Sequence, residues 1–326
     1  MKAILCESYG PPSSLVYREV PDPVPGPGEV LIQIAACSVN FPDTLIIEGK
    51  YQIKPPLPFA PGSDVAGTVI AIGEGVERVK IGDEVVALTR VGGFAEKLVV
   101  KESMCFPKPE SMPPVVAASF LMAYGTSYHA LKDRAKLQSG ETLLVLGASG
   151  GVGLAAVELG KAMGARVIAA ASSAEKLAVC TEHGADETID YLTEDLKQRA
   201  KELTQGRGVD VVYDPVGDRF SEPALRATGR YGRYLVVGFA AGEIPKIPLN
   251  LTLLKECSIV GVFWGSFANR EPHRNAVNVR ELVEQYEIGN LRPHIHRTYA
   301  LQDAPQALRD MLDRKVRGKA VIDMSL

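Results

Sequence analysis

The 326-residue chain is longer than one ordinary core supports, so two domains, or one domain interrupted by another, are expected. Apolar residues at 46 % and charged residues at 23 % are globular averages, and a formal charge of −3 offers no general attraction to nucleic acid or an anionic membrane. The five cysteines are odd in number and widely spaced, with no Cys-x-x-Cys pair, which argues against a disulfide framework and for reduced, packing thiols in a cytoplasmic protein.

In chain order, the opening MKAILCESYG reads as a strand, with too few apolar residues for a secretory leader and none of the Arg-rich pattern of a transit peptide. Later apolar runs are broken by Gly, Lys or Glu well short of the roughly 20 residues a membrane helix requires. Up to about Pro114 the short runs VLIQIAACSV, VAGTVIAIG, DEVVAL and AEKLVV, separated by Pro and Gly, predict a β-rich, barrel-like domain; PDPVPGPGE reads as a surface connection. From about Ser119 the pattern changes to apolar strands alternating with helices, the mark of βαβ units and a parallel sheet. Its expected strands are ETLLVLG, ARVIAAA, DETIDY, VDVVYD, RYLVVG and CSIVGVFW. Gly164 and Gly184 close the first two intervening helices and Thr193 opens the third. After Trp264 the spacing predicts a helix near Asn275–Glu287, a strand around Ile295–Tyr299, a helix over Gln302–Leu312 and a last strand, Lys319–Asp323.

The stretch LVLGASGGVG joins the first of these strands to the helix LAAVELGKAM. At the tip of such a turn a Cβ would hold the backbone away from a ligand. Small residues let the chain approach a pyrophosphate, and the helix N-terminus offers it free N–H groups and a positive dipole end. Ala148, Ser149, Gly150, Gly151 and Val152 are therefore the expected cofactor contacts, and Gly153 the point where helix and strand pack closely. The pattern is A-x-G-x-x-G, with Ala148 where the first glycine usually stands; a tight turn without ligand is the alternative. The next strand ends in Ser172, Ser173, Ala174, Glu175 and Lys176. Two hydroxyls and an ammonium suit a 2′-phosphate, whereas a carboxylate at the strand tip would repel one, so NADPH is favoured over NADH. Either serine can also cap the following helix. Gly238 and Phe239, with Phe263 and Trp264, end two later strands at the carboxyl edge where a dinucleotide lies.

LVLGASGGVGLAAVELGKAMGARVIAAASSAEK followed by GADETIDY resembles the cofactor domain of the medium-chain dehydrogenase/reductase superfamily, and more closely its zinc-free quinone oxidoreductase, or zeta-crystallin-like, branch. The likeness extends through VLIQIAACSVNFPDTLIIEGKY, PFAPGSDVAGTVIAIGEGVERVKIGDEVVAL and GGFAEKLVV to nearly the whole chain. It implies an α/β protein with a GroES-like β-rich barrel, residues 1–120 and 266–326, enclosing a doubly wound Rossmann domain, residues 121–265. The active site would lie in the cleft between them. The resemblance also implies a homodimer through the edge strand 257–264, which is physically reasonable because a bare apolar edge is an aggregation hazard.

Relative to the alcohol dehydrogenase branch, Asn40 replaces the first zinc ligand and Ser63 the histidine, leaving Asp64, and a lone carboxylate does not hold zinc. The resemblance puts Asn40 near the nicotinamide and substrate, where its amide could donate to a carbonyl oxygen; a turn-forming Asn is the competing account. It puts Tyr51 on the substrate cleft to orient the acceptor or protonate its product, or to serve as an aromatic wall. Thr126 would lie near the cofactor phosphates or merely cap a helix. Tyr191 would pack beside the adenosine ribose phosphate, and one of Arg314, Arg317 and Lys319, with Arg314 preferred, would meet that phosphate. The cysteines are expected to pack in the interior and the histidines to pack or face solvent.

Without a Lewis acid a simple ketone is hard to reduce, whereas quinones and α,β-unsaturated carbonyls accept hydride at carbon and delocalise the charge onto oxygen. The expected activity is thus a zinc-independent, NADPH-dependent reduction of such an acceptor. An enoyl-CoA or haloacrylate-type acceptor, met by Arg270 and Arg274, and a crystallin-like protein that binds NADPH without turnover are the alternatives.

Overall fold

The strand Glu29–Val39 organises the first half of the chain because its eleven residues are long enough to hold two partners end to end on one edge. Lys97–Lys101 pairs with its start and Lys319–Asp323 with its end, both antiparallel, while Asp64–Ile72 covers the other edge. Ile295–Tyr299 extends this sheet beyond Lys319–Asp323, and Glu84–Leu88 and Cys105–Pro107 extend it beyond Asp64–Ile72, giving seven strands. The computed structural model describes residues 1–326, which divide into one unit of Met1–Met122 with Pro293–Leu326 and a second of Ala123–Arg292. Val30, Ile32, Ile34, Val65 and Val69 build the core of the first unit together with Leu308 and Ile322 from the returning segment.

In the second unit six strands lie in the order Glu187–Asp190, Arg166–Ala171, Thr142–Leu146, Val209–Asp214, Thr228–Val236, Ser258–Gly261. All pair in parallel. This is the Rossmann order, and it reverses direction between Thr142–Leu146 and Val209–Asp214, where such sheets open a crevice at their carboxyl ends. Thr142–Leu146 is buried along its length, as an uninterrupted apolar strand under helices on both faces must be. Gly164 and Gly184 take the left-handed conformation expected after the first two helices, at φ +80° and +99°. The third helix, Leu196–Leu203, is capped by Asp195 rather than Thr193: its carboxylate accepts the Gln198 N–H at 2.8 Å.

Two further expectations change. The chain returns to the first unit at Pro293, not near 266. Helices Trp264–Arg270 and Pro272–Glu287 instead join the second unit: Tyr128 donates to Glu281 at 2.9 Å, Lys132 to Asn278 at 3.0 Å, and the Trp264 indole to Asn275 at 3.0 Å. The edge strand is also shorter than CSIVGVFW. Its pairing stops at Gly261, opposite Val236, where its neighbour ends, and Trp264 already begins a helix. No helix is long and apolar enough to cross a membrane.

Candidate functional site

The expected site residues fall into two groups, one in each unit. In the second unit Gly147 leaves the strand at φ +55°, a left-handed conformation that favours glycine, and its carbonyl accepts the Gly150 N–H at 2.9 Å. Helix Gly151–Ala162 starts at once, and Leu154 is the first residue to bond back, to Gly150 O at 2.7 Å. The N–H groups ahead of it are those that a helix leaves without an internal partner. A Cβ on Gly153 would stand 2.3 Å from the Gly147 carbonyl oxygen, so only glycine lets the helix lie this close to the strand. Ala148 and Ser149 are buried in the turn; Gly150, Gly151 and Val152 are half-buried at its tip. The arrangement suits a diphosphate approaching bare main chain.

Ser127, which the sequence did not single out, donates to the Val152 carbonyl at 2.8 Å and meets the Tyr213 hydroxyl at 2.8 Å, fixing the first helical turn. Its neighbour Thr126 sits within helix Leu121–Tyr128 and half-buried, so it does not cap that helix. At the end of the next strand Ser173 caps helix Ala174–Glu182 by accepting the Lys176 N–H, and the Lys176 ammonium donates to the Ser172 hydroxyl at 3.0 Å. The three residues thus form one cluster. The nearby carboxylate, Glu175, is exposed on the helix rather than at the strand tip. Arg166 is at the opposite end of that strand, paired with Glu187 at 3.0 Å.

Tyr191 follows Glu187–Asp190, its ring 4.4 Å from that of Phe220. Asp214 holds the neighbouring turn by accepting the Val216 and Gly217 N–H groups at 2.7 and 2.9 Å. Gly238 bonds back to the Asp214 carbonyl at 3.3 Å, and Phe239 lies over Gly217. Phe263 is 57 % exposed after the edge strand. Trp264 differs from expectation: it is buried at a helix start, lies against Gly125 and uses its indole N–H on Asn275, so it is a packing residue. Arg274 is engaged by Asp133 and Glu271 and lies over Phe267. Two histidines are partnered, buried His129 with Asp133 at 2.8 Å and half-buried His183 with Glu158 at 2.5 Å. All five cysteines are free and buried.

In the first unit Asn40 begins helix Phe41–Ile47, and its backbone N–H donates to Asp43 at 2.7 Å. Its side chain does not cap the helix. The amide nitrogen donates to Ser38 Oγ at 3.0 Å, and the amide oxygen accepts from Lys319 Nζ at 2.5 Å. Asp64 lies opposite Ser38 in the paired strand and accepts from Ser38 Oγ at 3.4 Å and from the Met122 N–H at 3.2 Å. One carboxylate oxygen on each of Asp43 and Asp64 is buried without a partner. Burial pushes Asp43 up to about 6 and Asp64 up to about 7, against the opposing pull of the Lys319 ammonium. Burial lowers Lys319 in turn, with the two carboxylates opposing. Desolvation outweighs the pull of that single ammonium on both acids, and the Asp43 charge adds a smaller upward push to Asp64. Tyr51 packs against the same core, its phenol raised by burial and then by the Asp43 charge.

Lys319 is thus committed to Asn40 within the first unit, which corrects its expected candidacy for an adenosine phosphate. Sequence signals for this were slight, a lone cation opening an apolar strand. Arg314 is exposed in the turn after helix Ala304–Leu312, at φ +57°. The donor set does not fit zinc: the Asn40 oxygen already faces an ammonium, the Asp64 carboxylate accepts from Ser38 and the Met122 N–H, and nowhere do three His, Cys, Asp or Glu side chains gather as ligands would.

A family model described as alcohol dehydrogenase GroES-like domain matches residues 26–110, and one described as zinc-binding dehydrogenase matches residues 151–279. A quinone oxidoreductase-like protein 2 homolog from Nematostella vectensis is 38 % identical over 325 residues, spanning 99 % of this chain and 88 % of that protein. Among solved structures, a mycobacterial protein complexed with NADPH has TM-score 0.93 at 32 % identity, covering 99 % of this chain and 100 % of that one. Escherichia coli quinone oxidoreductase complexed with NADPH has TM-score 0.92 at 28 % identity, again covering 99 % and 100 %. The fold and these likenesses define a medium-chain dehydrogenase/reductase with GroES-like and Rossmann parts, and within that superfamily the chain belongs to the quinone oxidoreductase family.

Proposed function

We propose that this chain is a zinc-independent reductase that uses NADPH to reduce a quinone or a related α,β-unsaturated carbonyl. The observation that carries the reading is the Asn40 amide, held between Ser38 and Lys319 in a donor set that cannot hold zinc. Such a site supplies a hydrogen-bond donor and no strong Lewis acid, which is enough only for acceptors that spread the arriving charge. NADPH, when bound, supplies the hydride. The turn from Ala148 to Val152 would hold its diphosphate, and Ser172, Ser173 and Lys176 its 2′-phosphate; Thr126, Tyr191, Gly238, Phe239 and Phe263 would border it. Arg314 is retained as the candidate cation for the adenosine end.

Asn40 would donate to the carbonyl oxygen as negative charge develops there. The Tyr51 phenol, raised by its burial, keeps its proton at neutral pH and so suits orienting the acceptor; the proton that completes the product then comes from solvent. Ile259 on the edge strand and the exposed Leu253, Leu254 and Phe263 nearby support a homodimer formed across that edge. Free cysteines throughout support a cytoplasmic setting. The test is NADPH consumption followed spectrophotometrically with naphthoquinones, phenanthrenequinone, small enones and enoyl-CoA esters, before and after exhaustive chelation. Turnover of quinones or enones, unaffected by chelation, is expected. Loss of turnover on chelation, or NADPH binding with no acceptor reduced, would contradict the reading.

A further inference from the structure

Lys319 is 5 % exposed and lies 279 positions from Asn40 in sequence. Pairing of Lys319–Asp323 with Glu29–Val39 sets Ala320 opposite Val39, which brings the preceding lysine to the asparagine. A buried ammonium would ordinarily be expected to bond a carboxylate, and Asp43 and Asp64 both bear on it electrostatically. Its hydrogen bond nevertheless goes to the Asn40 amide oxygen. An ammonium only donates, so it accepts no other orientation of the amide: a 180° turn would set the NH2 group against it, donor to donor. With the oxygen so fixed, one amide N–H goes to Ser38 Oγ at 3.0 Å, and the second, which makes no bond within the chain, is left for an incoming acceptor. Withdrawal of electron density through the oxygen also makes that N–H a stronger donor.

We propose that Lys319 is a positioning residue for the reduction, its ammonium locking Asn40 in the one orientation that offers an amide N–H to the acceptor's carbonyl oxygen. This rests on the reading of Asn40 as the group that meets the acceptor. The competing role is a buried counter-ion for the two aspartates, and the two roles part in a double-mutant cycle.

The kinetic experiment compares wild type, Lys319→Met, Asn40→Ala and the double variant with one quinone and NADPH. Positioning predicts that Lys319→Met lowers kcat/KM roughly ten- to a hundredfold and leaves the NADPH dissociation constant within about twofold. It also predicts that the double variant is no worse than Asn40→Ala alone, and that Lys319→Gln, which keeps a donor and drops the charge, recovers part of the loss. Losses that multiply in the double variant, or Lys319→Met acting like wild type, would overturn it. Should Lys319→Met fail to fold, Asp64→Asn/Lys319→Met removes one charge of each sign and carries the same cycle. If wild type reduces no acceptor, the functional reading falls, and the Asn40 side-chain amide signals in 15N–1H spectra, assigned by their loss in Asn40→Ala, still decide whether Lys319 holds it. Signals that move in Lys319→Met support the hold; unmoved signals refute it.

Discussion

The glycine turn of the second unit and the polar cluster of the first are assembled in opposite ways. The turn is made by residues adjacent in sequence, Gly147 through Gly153, with Gly150 and Gly153 both meeting Gly147 and Leu154 bonding back to Gly150. The cluster is made by a strand end, a helix start, a neighbouring strand and a terminal strand, and its decisive bond spans 279 positions. A local device is carried by backbone shape, so it is sensitive to side-chain size and to backbone conformation. A device built over long range is carried by charge and donor direction, so it is sensitive to single polar atoms.

The largest effect that can break this contrast is at Gly153. Gly153→Ala places a Cβ against the Gly147 carbonyl oxygen at 2.3 Å and should cost about 3 kcal/mol, because backbone on both sides leaves little room to relax. Urea unfolding should show the lower stability and fluorescence titration a weaker nucleotide complex; a variant with wild-type values for both would mean the turn is not size-limited. Next is Asn40→Ala, which should lower kcat/KM about a hundredfold, as removal of one donor to a developing oxyanion does, while NADPH binds as before. Weakened NADPH binding instead would place Asn40 on the cofactor.

Lys176→Ala should raise the NADPH dissociation constant roughly tenfold and leave that for NADH unchanged, as expected if the ammonium makes a charge-assisted contact to the 2′-phosphate. Equal loss for both nucleotides would assign Lys176 to the helix instead. The smallest effect is the pH dependence of stability. Asp64 holds its proton to about pH 7 in the folded chain, whereas an ordinary carboxylate near 3.8 has released it in the unfolded one. Between those values the folded state binds more protons, so its stability falls as pH rises from about 4 to about 7. Asp64→Asn should flatten that part of the profile in denaturant titrations; an unchanged slope would show that Asp64 is not its source.

The same contrast explains what could be read from sequence. Thr142–Leu146, Arg166–Ala171 and Val209–Asp214 are buried on both faces and read directly as apolar runs, and Ile295–Tyr299 and Lys319–Asp323 are found where the pattern puts them. The glycine turn and the Ser172, Ser173, Lys176 cluster were legible because each is complete within a few residues. Trp264 was misread because its apolar character fits a strand end as well as a buried helix start, and only its bond to Asn275 distinguishes them. The boundary near 266 was misplaced because part of what holds helix Pro272–Glu287 is polar, its Asn278 and Glu281 bonded by Lys132 and Tyr128 across 146 and 153 positions of sequence. Lys319 was grouped with Arg314 and Arg317 by proximity in sequence, although strand pairing gives it a different partner altogether.

Calorimetric titration of the chain with NADPH and, separately, NADH tests most directly whether a phosphorylated dinucleotide rests on this turn. One NADPH per chain, bound about tenfold more tightly than NADH, is the predicted result. No heat with either nucleotide, or NADH bound as tightly as NADPH, would contradict the account.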